Sequence, residues 1–81
     1  MRVRVRLFAS LREAVGTSEV ELTLPEGATA ETAWQRLADS HTALAARRAR
    51  LTAAINRRYA PFDTPLHEGD ELVFVPPVSG G

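Results

Sequence analysis

The chain has 81 residues, a formal net charge of zero and no cysteine. A single domain of this size buries about 60 to 65% of its unfolded surface, too little for a large enclosed active site, and balanced charge removes the electrostatic drive that a nucleic-acid or membrane-surface binder needs. Disulfides, thiolate metal sites and cysteine nucleophiles are excluded; all ten basic residues are arginine, which also excludes Schiff-base chemistry and a side-chain acceptor for an isopeptide bond.

The opening Met1-Arg2-Val3-Arg4-Val5-Arg6 alternates where a signal peptide would be continuously apolar, and no run approaches the roughly 18 residues of a spanning helix, so a cytoplasmic protein is expected. Val3, Val5 and Leu7 against Arg2, Arg4 and Arg6 predict a half-buried first strand. Ser10-Leu11-Arg12-Glu13 fits a capping box, with Gly16 as the stop of a short helical turn. Val20, Leu22 and Leu24 alternate with Glu19, Glu21 and Thr23, predicting a second strand whose acidic face pairs with the arginines of the first, at roughly 0.2 to 1 kcal/mol per pair. Pro25-Glu26-Gly27 breaks that strand. Thr29 then caps a helix to about Asp39, with Ala30, Ala33, Trp34, Leu37 and Ala38 as its buried stripe.

After Ser40-His41, the segment from Thr42 to Ala49 reads as a second helical stretch. Leu51 to Ile55 reads as a buried strand closed by a turn at Asn56-Arg57. Arg58-Tyr59-Ala60 is a short edge strand, because Pro61 would not be tolerated in a central one. Turn chemistry at Asp63-Thr64-Pro65-Leu66 and His67-Glu68-Gly69-Asp70 precedes a last strand over Leu72-Val73-Phe74-Val75. This order predicts an α+β fold in which a mixed sheet of four to five strands grasps one or two helices, with the final strand beside the first.

If Val3, Val5 and Leu7 face the helix, Phe8 falls on the opposite face. Leu72 and Phe74 are the bulkier pair of the last strand, which sends Val73 and Val75 to that outer face, with Tyr59 at its margin. Contiguous apolar residues there read as a partner-docking surface. Pro76-Pro77 ends the last strand and favours an extended exit, so residues 1–75 are expected to form the domain and 76–81 a flexible tail. That tail, Pro76-Pro77-Val78-Ser79-Gly80-Gly81, reaches about 20 Å if extended, and its two terminal glycines, lacking a Cβ, suit passage through a narrow channel.

Nothing else in the chain carries chemistry of its own. No phosphate-binding glycine motif is present. His41 and His67 read as a helix-end and a turn residue, so no metal is expected. Asp63, Glu68, Asp70 and Glu71 read as turn and cap residues, and Arg47, Arg48, Arg50, Arg57 and Arg58 as a solvated basic face.

The stretch from Phe62 to Gly81, ending Pro-Pro-Val-Ser-Gly-Gly, resembles the C-terminal signature of the small, sulfur-carrier subunits of molybdopterin synthase. Leu7-Phe8-Ala9-Ser10-Leu11-Arg12-Glu13-Ala14-Val15-Gly16 resembles that family's opening, and Ala53-Ala54-Ile55-Asn56 its third strand. The resemblance implies a ubiquitin-like β-grasp fold and a mechanism at Gly81. An adenylating partner enzyme would use ATP and Mg²⁺ to activate the terminal carboxylate, a persulfide donor would supply sulfur, and the resulting thiocarboxylate would be delivered to cyclic pyranopterin monophosphate in the large subunit. No cofactor is expected on this chain alone, and no nucleic acid or membrane as partner. Gly80 and Gly81 would be the working residues, with Phe8, Tyr59, Val73, Val75, Pro76, Pro77, Val78 and Ser79 as partner contacts. Val75 is smaller than the resemblance leads one to expect. Alternatives are a carrier for thiamine biosynthesis or transfer-RNA thiolation, from which Pro76-Pro77 discriminates, a protein modifier joined to targets through Gly81, and a plain binding module with an inert tail.

Overall fold

Alternation along the first strand, β1 (Arg2–Leu7), is realised in full: Val3, Val5 and Leu7 are completely buried while Arg2, Arg4 and Arg6 are exposed. The computed structural model describes residues 1–77, so Val78, Ser79, Gly80 and Gly81 of the expected tail lie outside the described residues. After β1 come α1 (Ala9–Val15), β2 (Glu19–Thr23), α2 (Ala30–Ser40), a 3-10 helix (Thr42–Arg50), β3 (Thr52–Ile55), β4 (Arg58–Ala60) and β5 (Glu71–Val75). One five-stranded sheet runs in the order β2-β1-β5-β3-β4. β5 is parallel to β1, and the other pairings are antiparallel. Parallel strands end on the same side, so Leu7 pairs with Phe74 and both strands leave the sheet together.

Helix α2 lies across the face that carries Val3, Val5, Leu7, Leu72 and Phe74. It buries Ala30, Ala33, Trp34 and Leu37, with Ala38 packed at the margin. Trp34 meets Phe74 edge-on at a centroid distance of 5.1 Å, and Phe62 stacks on the same Phe74 ring at 5.8 Å. The Arg48 guanidinium then covers Phe62 at 3.4 Å from its centroid. Each aromatic pair is worth about 0.5 to 1.5 kcal/mol beyond its area burial.

The amides at the start of α2 are all satisfied. Ala30 donates to Thr64 O, Glu31 to Phe62 O, and Thr32 to the Thr29 hydroxyl at 3.3 Å. The Thr32 hydroxyl accepts from Thr29 N, so Thr29 and Thr32 form a reciprocal capping box.

Two local readings are corrected and a third is made more specific. Helix α1 begins two residues before the expected capping box: Phe8 occupies the N-cap position without a side-chain cap bond, and Ser10 lies inside the helix. The chain leaves β1 through Ala9 at φ 50, a sharp turn that lets Leu11 reach the core. Gly16 ends α1 as expected, at φ 92. The expected second helical stretch is present as a 3-10 helix over Thr42–Arg50; Leu44 is its one buried residue, too little apolar stripe to hold an α-helix against the core. Finally, Arg4 and Arg6 stand opposite Glu21 and Glu19 in register, yet among the described residues neither pair comes within ion-pair distance; Arg6 instead approaches Glu71 on β5, at 3.6 Å.

The hairpin joining β3 and β4 turns at Asn56 (φ 50) and Arg57 (φ 71), the left-handed pair that a two-residue hairpin requires. Asn56 is held by Asp70 Oδ1 and by the backbone of Glu71. Arg57 carries the strain of a Cβ at positive φ. Replacing it in Arg57→Gly is expected to raise stability by about 1 kcal/mol, read from urea unfolding midpoints.

Glu31 gives a second test. Arg48 Nε donates to Glu31 Oε1 at 2.8 Å, its Nη2 stands 2.6 Å from the same oxygen, and Gln35 Nε2 donates to Oε2 at 3.1 Å. The hydrogen bond from Arg48 holds the Glu31 carboxyl below its ordinary value of 4.5, against the opposing effect of burial and with help from Gln35 and the Arg48 charge. A carboxyl lowered by folding stabilises the fold above its unfolded pKa and loses that contribution as pH falls through the folded one. The stability gap between the wild type and Glu31→Gln is therefore expected at neutral pH, and urea titrations should show it closing progressively below pH 4.5. Both groups are partly exposed, so added salt should narrow the gap as well.

Candidate functional site

The sheet face opposite α2 is uncovered, and strand register fixes what stands on it. One row crosses the sheet as Glu19, Arg6, Val73, Ala54 and Tyr59. The next row toward the strand ends holds Phe8, Val75 and Thr52, because Leu7 pairs with Phe74 and Thr52 with Val75. Among the described residues Phe8, 47% exposed, and Tyr59, 75% exposed, are the two large hydrophobic side chains open to solvent, while Val73 and Val75 are half-buried. Ala54 is buried yet separate from the core beneath α2. It is the small residue that closes the floor between Val73 and Tyr59.

The structure therefore brings Phe8, Tyr59, Val73 and Val75 onto one surface. With strands about 4.8 Å apart, that surface spans roughly 14 Å from β1 to β4. The charged half of the same face lies toward β2, where Arg2, Arg4 and Arg6 run beside Glu19 and Glu21. Arg6 joins the two halves: its guanidinium lies 5.9 Å from the Phe8 centroid and 3.6 Å from Glu71 Oε2.

Pro76 and Pro77 continue β5 and leave the sheet beside Phe8. They also form one wall of a cavity of about 320 Å³ whose other walls include Leu11, Leu51, Arg47 and Arg50. Sequence reasoning missed this hollow because its walls come from α1, the 3-10 helix and the end of β5, which no local pattern connects. Ala54 was legible from its parity with Val73 but lacks the bulk that marks a contact residue.

Several of the remaining polar candidates have structural partners. His41 ends α2 with Nδ1 3.2 Å from Leu37 O. His67 opens a turn in which Asp70 Oδ2 accepts from its backbone N–H at 2.8 Å, and Glu68 accepts from Arg2 N at 2.9 Å. Asp63 lies exposed in the turn after Pro61. The basic residues do not form one cluster: Arg48 is engaged with Glu31 and Phe62, Arg47 and Arg50 line the hollow beside Pro76 and Pro77, and Arg57 and Arg58 lie at the far end of β3. Among the described residues no group of three or more His, Asp or Glu could hold a metal, and no helix is long and apolar enough to cross a membrane.

This combination, a mixed five-stranded sheet folded around one long helix with its last strand at the centre, defines a ubiquitin-like β-grasp domain. The chain belongs to the ThiS family, which matches residues 5–81. It is 41% identical over 81 residues to the molybdopterin synthase sulfur carrier subunit of Escherichia coli K12, an alignment covering 98% of this chain and 99% of that protein. The crystal structure of SAMP1 from Haloferax volcanii superimposes with a TM-score of 0.90 at 30% identity, covering all of both chains. The complex of subunits 1 and 2 of molybdopterin-converting factor from Helicobacter pylori 26695 contains a chain of the same fold, with TM-score 0.68 and 22% identity over all of both chains.

Phe8 permits a clean separation of folding from surface function. It is the uncapped N-cap of α1, so Phe8→Asp supplies a cap oxygen and an anion at the helix start while removing the outer-face ring. Thermal unfolding of this variant is expected to match the wild type or exceed it by up to about 1 kcal/mol; a marked loss would make Phe8 a folding residue instead.

Proposed function

We propose that this chain is the sulfur-carrier subunit of a molybdopterin synthase and that the carboxylate of Gly81 carries the sulfur. The observation that bears most weight is the parallel pairing of β5 with β1, which sets Pro76-Pro77, Phe8 and Val75 at one corner of the molecule. A surface able to dock a partner thus adjoins the root of a segment ending in Gly80-Gly81. Full-length similarity to the E. coli sulfur carrier subunit supports the same reading.

A free carboxylate is a poor electrophile. In the proposed cycle the Gly81 carboxylate attacks the α-phosphorus of ATP on a separate adenylating enzyme, with Mg²⁺, and pyrophosphate leaves. The terminal sulfur of a persulfide donor then attacks the acyl adenylate and expels AMP, and reduction of the resulting acyl disulfide by a thiol frees the thiocarboxylate. Val78, Ser79, Gly80 and Gly81 would thread into the large subunit, where the thiocarboxylate delivers sulfur to cyclic pyranopterin monophosphate. In this reading no cofactor is held by the chain itself, Phe8, Tyr59, Val73 and Val75 contact the partner, and the reactions take place in the cytoplasm.

Deletion of Gly81 is expected to abolish molybdopterin formation in an assay reconstituted from the thiocarboxylated chain, the large subunit and the pterin precursor, while circular dichroism stays unchanged. Product formed at the wild-type rate by the shortened chain would refute the proposal. A second reading, a protein modifier, is favoured by the TM-score of 0.90 to SAMP1 of Haloferax volcanii, a small archaeal modifier protein. Mass spectrometry separates the two: lysine-linked adducts of the chain support a modifier, and a terminal thioacid supports the carrier.

A further inference from the structure

We propose that the hollow at the root of the tail is a second docking site for the tail-receiving subunit, fitted to an acidic segment of that subunit that carries one aliphatic side chain. This inference rests on the carrier reading. Its walls are chemically divided: Leu11, Leu51, Pro76 and Pro77 line the apolar part, while Arg47 and Arg50 stand on the rim. Among the described residues neither arginine has an ion-pair partner, although Arg2, Arg6 and neighbouring Arg48 each pair with a glutamate. Among the described residues no acidic side chain lines the hollow. Two unneutralised guanidiniums beside an apolar cavity of about 320 Å³ complement a carboxylate next to a Leu-, Ile- or Val-sized group.

Reach fixes where such a partner must lie. The six residues from Pro76 to Gly81 span at most about 20 Å, and Pro76 and Pro77 are themselves walls of the hollow. A protein that swallows the tail to its last glycine therefore brings the mouth of its channel against this collar, on the opposite side of Pro76-Pro77 from the Phe8 surface. The two sites would grip the root from both sides and set the depth to which Gly81 enters. Because both arginines lie at a rim, their effect falls mainly on the association rate and its salt dependence.

Isothermal titration and stopped-flow association of the full chain with its large subunit, at about 50 and 300 mM salt, test this. Arg47→Glu together with Arg50→Glu should weaken binding at least about tenfold at low salt and flatten the salt dependence, and the double Gln variant should fall between this and the wild type. Circular dichroism should be unchanged for both, since the two side chains are exposed. Wild-type affinity and salt slope in the charge-reversed variant, with Phe8→Asp still impaired, would overturn the collar and leave the carrier reading intact. Absence of any wild-type binding would overturn both. Concentration-dependent self-association of the isolated chain that vanishes in the charge-reversed variant would assign the hollow to a second copy and overturn the proposal.

Discussion

The edge-on contact between Trp34 and Phe74 organises the molecule. Trp34 is the largest side chain of α2, and Phe74 lies in the central strand of the sheet, so this contact fixes where the helix crosses. From Phe74 the contact continues outward through Phe62 to Arg48 and Glu31. A single line of packing thus runs from the core to the surface and ties the 3-10 helix and the loop after β4 to the start of α2. In an 81-residue chain without disulfides, few other devices are available to secure such long irregular segments.

The same contact has a corollary on the outer face. Phe74 points at α2, so its neighbours Val73 and Val75 must point away, and β1 in parallel register sets Phe8 beside Val75. Core packing and the exposed apolar surface are two sides of one pleat. A register slip of one residue would bury Val73 and Val75 and expose Phe74, losing both at once.

Most of this was legible because the sheet has one buried face. Period-2 alternation marked β1 and β2, the spacing of Ala30, Ala33, Trp34 and Leu37 marked α2, and the sizes of Leu72 and Phe74 set the parity of β5. What escaped depended on contacts between distant segments. Ser10 matched a capping box, but the need to bring Leu11 into the core started α1 earlier. Arg6 faced Glu19 in register yet leaned to Glu71 on its other side, a choice between neighbours that no pair of strands read alone can decide. The apparent block of five arginines dispersed because β3 separates Arg50 from Arg57, and Arg48 turned inward over Phe62. The hollow beside Pro76 exists only where three elements meet.

The position of β5 has a consequence for how the protein comes into being. This strand is the last made and occupies the middle of the sheet, between β1 and β3. Its partner β1 is the first strand of the sheet in chain order, so the sheet cannot close until synthesis has passed Val75, and this long-range pairing must form late. A chain cut short within β5 loses its central strand and, with Phe74, the ring on which Trp34 and Phe62 pack, and unfolded chains are proteolysed. The fold thereby acts as its own proofreader: a root from which a tail can extend exists only on a molecule whose hydrophobic interior has been completed by the strand leading into it.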